Sequence, residues 1–250
     1  EYDEELVSVL IALAEAQGIP AGTEGEINPG LDHATLVPLY FIDQEQLKPR
    51  LVRISLSGLS PLEHYRFGQL IRKAAESCNR RIVLVASGDL SHRLKEEGPY
   101  GFAKEGPDFD RQVTEALAVG DFARLLAFDE NFCEAAGECG LRSFIIMAGA
   151  LDGLAVRSEL HSYEGPFGVG YAVAAFEPEG PDDGRRFGAA YESAQLEEAG
   201  RRKVGEDVYV RLARASLEHW LEKGSYLPLP SGLPTELTEQ RAGVFVSLKK

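Results

Sequence analysis

The sequence predicts an α/β fold: a mostly parallel central sheet flanked by helices in three layers, followed by the beginning of a second, α+β domain. Three observations carry this. The run Ile82-Val83-Leu84-Val85-Ala86 is uninterruptedly apolar between Arg80-Arg81 and Ser87-Gly88, the pattern of a short strand buried on both faces. An amphipathic helical stretch separates it from the alternating segment 51–57, giving the order of a βαβ unit. Beyond residue 177 the composition turns to charge, Gly and Pro, as a linker does before a new domain.

In chain order, residues 3–17 read as a helix, with Leu6, Val9, Leu10 and Leu13 on one face and Gly18 placed to end it. A Gly/Pro loop then delivers Asp32-His33 to the apolar segment 34–42, where Pro38 is a kink point. Segment 51–57 alternates as a half-buried strand. Ser60-Pro61-Leu62-Glu63 forms a capping box with Pro at the first helical position, and Phe67, Leu70, Ile71 and Ala74 supply the stripe behind it. His64, in that first turn, is expected to face solvent. Residues 95–107 make a Gly/Pro-rich loop, a flap beside whatever site lies near it. Residues 108–128 read as one or two helices broken at Gly120-Asp121. A further helix runs from about Glu138 toward Leu151. Segments 155–161 and 169–176 are strands joined by a glycine-containing turn, with His161 structural or exposed. Asp207 caps a helix bearing Val210, Ala213, Leu217, Trp220 and Leu221, a Pro-rich loop covers 226–234, and a last strand starts at 242–248.

The chain has 250 residues and a formal net charge of −14. So acidic a surface repels phosphate backbones, which argues against nucleic acid as a partner. No apolar run approaches the roughly 18 residues of a membrane helix, and no signal peptide opens the chain. Cys78, Cys133 and Cys139 are odd in number and irregular in spacing. They suit neither a disulfide framework nor a zinc ribbon, and a reducing, cytoplasmic home fits them better. Because Glu1 stands where Met would, and residues 242–248 are strand-like, the sequence reads as cut at both ends.

Three stretches carry candidate chemistry. Ser87-Gly88-Asp89-Leu90-Ser91-His92 follows the apolar run, and ligands in open α/β sheets bind beyond the carboxyl ends of strands. Asp89 and His92 therefore stand where a site is expected, although Ser and Asp there also serve as turn formers and caps. Asp32-His33 places a carboxylate beside an imidazole that it could orient; the same pair also fits a helix N-cap with His33 in the first turn. Glu138-Cys139 sits at a predicted helix start, where the dipole lowers a thiol's pKa and favours the metal-binding thiolate. Ordinary dipole compensation and packing of a small apolar Cys fit that stretch as well.

Taken together, Asp32-His33-Ala34-Thr35-Leu36-Val37-Pro38-Leu39-Tyr40-Phe41, Ser87 to His92 and Glu138-Cys139-Gly140-Leu141-Arg142-Ser143-Phe144 resemble the C-terminal part of the class III extradiol ring-cleaving dioxygenase catalytic subunit. More closely they resemble the Memo-type proteins of the AmmeMemoRadiSam system. The stretch 207–250, clearest at Arg241-Ala242-Gly243-Val244-Phe245-Val246-Ser247-Leu248, resembles the opening of an AMMECR-type domain. The resemblance implies a Memo-like domain over 1–177, a linker over 178–206 and a truncated second domain over 207–250. It implies a non-haem Fe(II) site, or a copper site, with Cys139 and Glu138 at the metal and two histidine ligands N-terminal to the first helix. His92 matches the family's acid/base residue and His33 the other pocket histidine, with Asp89, Ser87 and Asp32 on the substrate side. The implied partners are a small aromatic substrate and a radical-SAM protein. Cys139 at the place of a carboxylate ligand leaves three outcomes: ring cleavage, metal binding without ring cleavage, and a non-catalytic interaction scaffold.

Overall fold

The computed structural model describes residues 1–23, 30–45 and 47–239. The described residues divide into two compact units, the first ending at Glu192 and the second starting at Ser193.

In the first unit, α1 (Glu4–Glu15) is capped by Asp3, whose carboxylate accepts from the Leu6 N–H, and buries Leu6, Leu10 and Ala14. The neighbouring backbone at Glu1 and Asp3 exchanges hydrogen bonds with Leu51, a single parallel bridge. Next, α2 (His33–Gln44) starts at Asp32 and contains Pro38; none of its residues is buried. Ser60 and Glu63 close the expected capping box on α3 (Pro61–Ser77), with Pro61 in the first turn. His64 is buried, contrary to the expectation of a solvent-facing ring. Its Nδ1 lies 3.0 Å from the Ser60 carbonyl and its Nε2 3.4 Å from Ser57 Oγ, so both ring nitrogens are satisfied inside.

The break expected at Gly120-Asp121 separates α4 (Glu105–Val119) from α5 (Phe122–Leu126). Gly120 takes the left-handed conformation (φ 66°) that ends α4, and Asp121 caps α5. A short helix that periodicity did not reveal, α6 (Glu130–Ala136), precedes α7 (Leu141–Ala150). α7 packs on α3 through reciprocal glycines. A Cβ on Gly68 would fall 2.0 Å from the Ile146 carbonyl oxygen, and one on Gly149 would fall 1.9 Å from that of Tyr65. The core gathers Tyr65, Phe109, Val113, Phe122, Leu125 and Ile145 around this crossing. Asp152, buried at its edge, accepts from Tyr65 Oη at 2.6 Å and from Gln69 Nε2 at 2.9 Å.

β1 (Leu154–Glu164) and β2 (Tyr171–Pro181) pair antiparallel, with irregularities between Ala155 and Val156 and between Leu160 and Ser162. This is the sheet found among the described residues. Segments 51–57 and 81–86, expected as strands of a parallel sheet, form no ladder there. The apolar run at 82–86 is not buried on both faces: Val83 is 90% exposed and Val85 54%. An apolar strand needs neighbours on both edges and cover on both faces, and no described segment supplies them.

The charged stretch expected as a linker carries the end of β2, a 3₁₀ turn at Asp183–Arg185 and α8 (Phe187–Val204). In the second unit, Asp207 accepts from the N–H groups of Tyr209 and Val210 and caps α9 (Val208–Lys223), after which α10 (Thr235–Thr238) follows the Pro-rich loop. The strand expected at 242–248 lies outside the described residues. No described helix is long and apolar enough to cross a membrane.

Candidate metal centre

Two turns build the site. The first leaves the extended segment 81–88 and carries Asp89 to His92; the second joins α6 to α7 and carries Glu138 and Cys139. They meet backbone to backbone, because a Cβ on Gly88 would lie 2.4 Å from the Gly140 Cα and one on Gly140 would lie 2.8 Å from the Asp89 carbonyl oxygen. The Cys139 N–H donates to that carbonyl at 3.4 Å, and the His92 N–H donates to the Gly137 carbonyl at 3.2 Å.

The first turn is also fixed from below. Asp110, buried in α4, accepts from the Ser91 N–H at 2.7 Å with one oxygen and from Tyr163 Oη at 2.7 Å with the other. The Ser91 hydroxyl donates to the Ala136 carbonyl at 2.7 Å and accepts from the Arg93 N–H at 2.9 Å. Gly170 and the turn exchange hydrogen bonds on a third side, Leu90 N–H to the Gly170 carbonyl and Gly170 N–H to the Ser91 carbonyl. Burial pushes the Asp110 carboxyl up, while the Ser91 and Tyr163 hydrogen bonds oppose that rise. Nothing in the local pattern around Asp110 marked it; only its place within a helix face otherwise filled by Phe109 and Val113 sets it apart.

Asp89, His92 and Cys139 each offer one donor atom, and these atoms lie within 4.8 Å of one another. His92 Nε2 is 3.6 Å from Cys139 Sγ and 3.5 Å from Asp89 Oδ2. The Asp89 N–H donates to Cys139 Sγ at 3.3 Å. In a nucleophile–histidine–acid relay the acid holds the ring nitrogen opposite the nucleophile. Here thiol and carboxylate face the same nitrogen, so the three groups converge on a point instead of forming a relay. Donors held about 2.0–2.3 Å from a divalent ion stand roughly 3.2–3.7 Å apart, a spacing that His92 Nε2 already has to both Cys139 Sγ and Asp89 Oδ2. The donor set therefore fits a transition-metal ion.

The Cys139 thiol does not have the lowered pKa expected of it. Burial pushes it above its ordinary value, the Asp89 N–H opposes that, and the Asp89 and Glu138 carboxylates add to the rise. The physical reason is position: α7 begins at Leu141, so Cys139 precedes the cap residue Gly140 and sits among acidic groups. A cation at the cluster would reverse this and favour the thiolate.

The other expected residues occupy different places. Glu138 accepts from the Leu141 N–H at 2.7 Å and so caps α7; burial raises its carboxyl. Ser87 is exposed and its carbonyl accepts from Ser143 Oγ at 2.8 Å. Asp32 accepts from the Thr35 N–H at 2.9 Å, which holds its carboxyl below the ordinary range. His33 is exposed in the first turn of α2, and the described contacts do not bring it or Asp32 into the cluster. One neighbour the sequence reading passed over is Tyr100, whose ring stacks on His92 with centroids 5.1 Å apart.

The model of the family described as "Catalytic LigB subunit of aromatic ring-opening dioxygenase" matches residues 1–174, which include both turns. The chain belongs to that family. Among curated relatives, the chain is similar to Protein CA_C1420 of Clostridium acetobutylicum, 38% identical over 258 residues, covering 100% of this chain and 55% of the relative. The 3,4-dihydroxyphenylacetate 2,3-dioxygenase of Escherichia coli is 24% identical over 167 residues, covering 60% of this chain and 58% of that enzyme. The chain thus spans a little over half the length of either relative.

Proposed function

We propose that this chain carries part of the metal centre of an extradiol-type dioxygenase acting on a catechol-like aromatic diol. The convergence of Asp89, His92 and Cys139 on one point, within a LigB-family domain, supports this reading most directly. Cys139 and the neighbouring acidic groups are the metal side of the site, with two histidine ligands expected elsewhere in the full-length protein. Fe(II), the metal such dioxygenases use, would supply the redox chemistry that joins dioxygen to an electron-rich ring.

The chain's own residues then do the proton work. His92 Nε2 accepts the proton of the diol hydroxyl and becomes an imidazolium, and Asp89 Oδ2, 3.5 Å away, stabilises that charge. Asp110 and Ser91 hold the turn so that Nε2 stays aimed at the cluster.

A second reading rests on the thiol. Sulfur is a softer donor than a carboxylate and suits copper as well as iron. On this reading the protein is Memo-like, binds copper or iron without cleaving rings, and works with a radical-SAM partner in a reducing cytoplasm. The AMMECR-type assignment of 207–250 belongs to the same proposal.

The full-length protein, its His92→Ala and its Cys139→Ser variants separate these readings by metal analysis and oxygen uptake with catechol. The dioxygenase reading expects oxygen uptake by wild type, lost in His92→Ala with metal retained. The Memo-like reading expects metal that falls in Cys139→Ser and no uptake in any variant. Wild-type protein that takes up neither iron nor copper rejects both.

A further inference from the structure

The geometry points to Tyr100 as a specificity-determining residue: a fixed aromatic wall against which the flat ring of a ligand stacks when its diol reaches the Asp89–His92–Cys139 centre. The inference rests on the centre proposed above and adds a residue that forms no part of the donor set.

Tyr100 lies against His92 with ring planes inclined by 30°. A phenol is larger than an imidazole, so a tyrosine stacked on a histidine leaves part of its own face uncovered, and Tyr100 is 61% exposed. A large aromatic held open beside polar donors is the lining that small-molecule sites use, apolar walls around a few convergent polar groups.

The wall is built rigidly. The loop bearing Tyr100 is closed at its base by the Leu94–Phe102 bridge and by the Ala103 N–H donating to the Arg93 carbonyl at 3.0 Å. Its near side is tied to the β1–β2 connection by the Leu94 N–H to the Gly168 carbonyl at 3.0 Å and by Lys95 Nζ to the Pro166 carbonyl at 2.9 Å. At the crossing a Cβ on Gly168 would fall 2.9 Å from the Gly98 Cα, so a larger residue there would push the two backbones apart. Gly101, at φ 72°, supplies the turn that returns the chain just past the ring. The Lys95-containing loop expected as a flap is thus pinned on both sides, and Tyr100 keeps one place relative to His92.

The test uses full-length protein loaded with Co(II), with two bidentate oxygen chelators as probes. 4-Nitrocatechol carries a flat ring and reports binding through its visible absorption; acetohydroxamate chelates without a ring. The expected result is that Tyr100→Leu weakens 4-nitrocatechol by roughly three- to tenfold, the size of a lost aromatic stack. Acetohydroxamate affinity and cobalt content should stay at wild-type values, and Tyr100→Phe should bind 4-nitrocatechol as wild type does. Unchanged 4-nitrocatechol affinity in Tyr100→Leu overturns the inference. So does an equal loss for both chelators, which would place the effect in the metal or in His92. Wild-type protein that takes up no cobalt overturns the centre itself, and that failure shows before any substitution is made.

Discussion

At the scale of single residues, the centre is set by what surrounds Cys139. Its thiol is raised by burial and by two carboxylates, so it is protonated near neutrality when no cation is present. Binding a metal as thiolate must then release that proton. Cobalt affinity should therefore rise about tenfold per pH unit from this group, and keep rising above pH ~8.5, where an ordinary thiol would level off. Titrations between pH 6.5 and 9 check this, and Cys139→Ser should lower the slope by one proton. Asp110 gives the opposite kind of prediction. With Asp110→Ala, the buried Ser91 N–H loses its acceptor, at a cost of about 1–3 kcal/mol, while the half-exposed Tyr163 Oη turns to water. Urea unfolding should show a large loss for Asp110→Ala and a smaller one for Asp110→Asn, which still offers an amide oxygen. Because burial raises the Asp110 carboxyl, its charged form costs stability at neutral pH, and mild acid relieves that cost.

At the scale of elements, the helix starts were the most legible part of the sequence. Ser60, Asp121 and Asp207 cap α3, α5 and α9, because a short side-chain oxygen ahead of an apolar stripe has few other uses. Asp32 caps α2 in the same way, one of the two uses its spacing allowed. The short α6 carries little periodicity in seven residues and was missed for that reason. The apolar run at 82–86 misled for a different reason: strand burial depends on partners far away in sequence, which local pattern does not contain. Asp3 illustrates an element held by charge. It caps α1 and pairs with Arg80 Nε at 2.9 Å, and the Arg80 hydrogen bond comes first among the causes that lower its carboxyl. A carboxylate lowered by folding stabilises above its unfolded pKa of about 3.9 and loses that contribution as pH falls through the folded value. Asp3→Asn should therefore lower Tm at pH 7, and the gap to wild type should close below pH 4. A gap that persists in acid would contradict the ion pair as the source of the effect, since Asn keeps the cap.

At the scale of the molecule, two of the three stretches expected to share one pocket, Asp89 to His92 and Cys139, come together, and the described contacts do not bring Asp32-His33 to them. Asp89 to His92 and Cys139 meet because α3 and α7 cross through Gly68 and Gly149, and because Gly88 and Gly140 let the two turns touch. The supports beneath the turn, Ser91, Asp110 and Tyr163, were not legible, since their role exists only once α4 and β1 have come together. Membership of the LigB family accounts for residues 1–174, while the described part of the second unit carries α9 and α10. The central claim is that one transition-metal ion binds with the Cys139 sulfur among its ligands, beside the Asp89–His92 pair whose Nε2 stays free to accept a proton. The most direct measurement is the near-ultraviolet thiolate-to-cobalt charge-transfer band on titrating full-length protein with Co(II). The account predicts a band that saturates at one cobalt per chain and is absent in Cys139→Ser; a band of equal strength in that variant, or none in wild type, would contradict it.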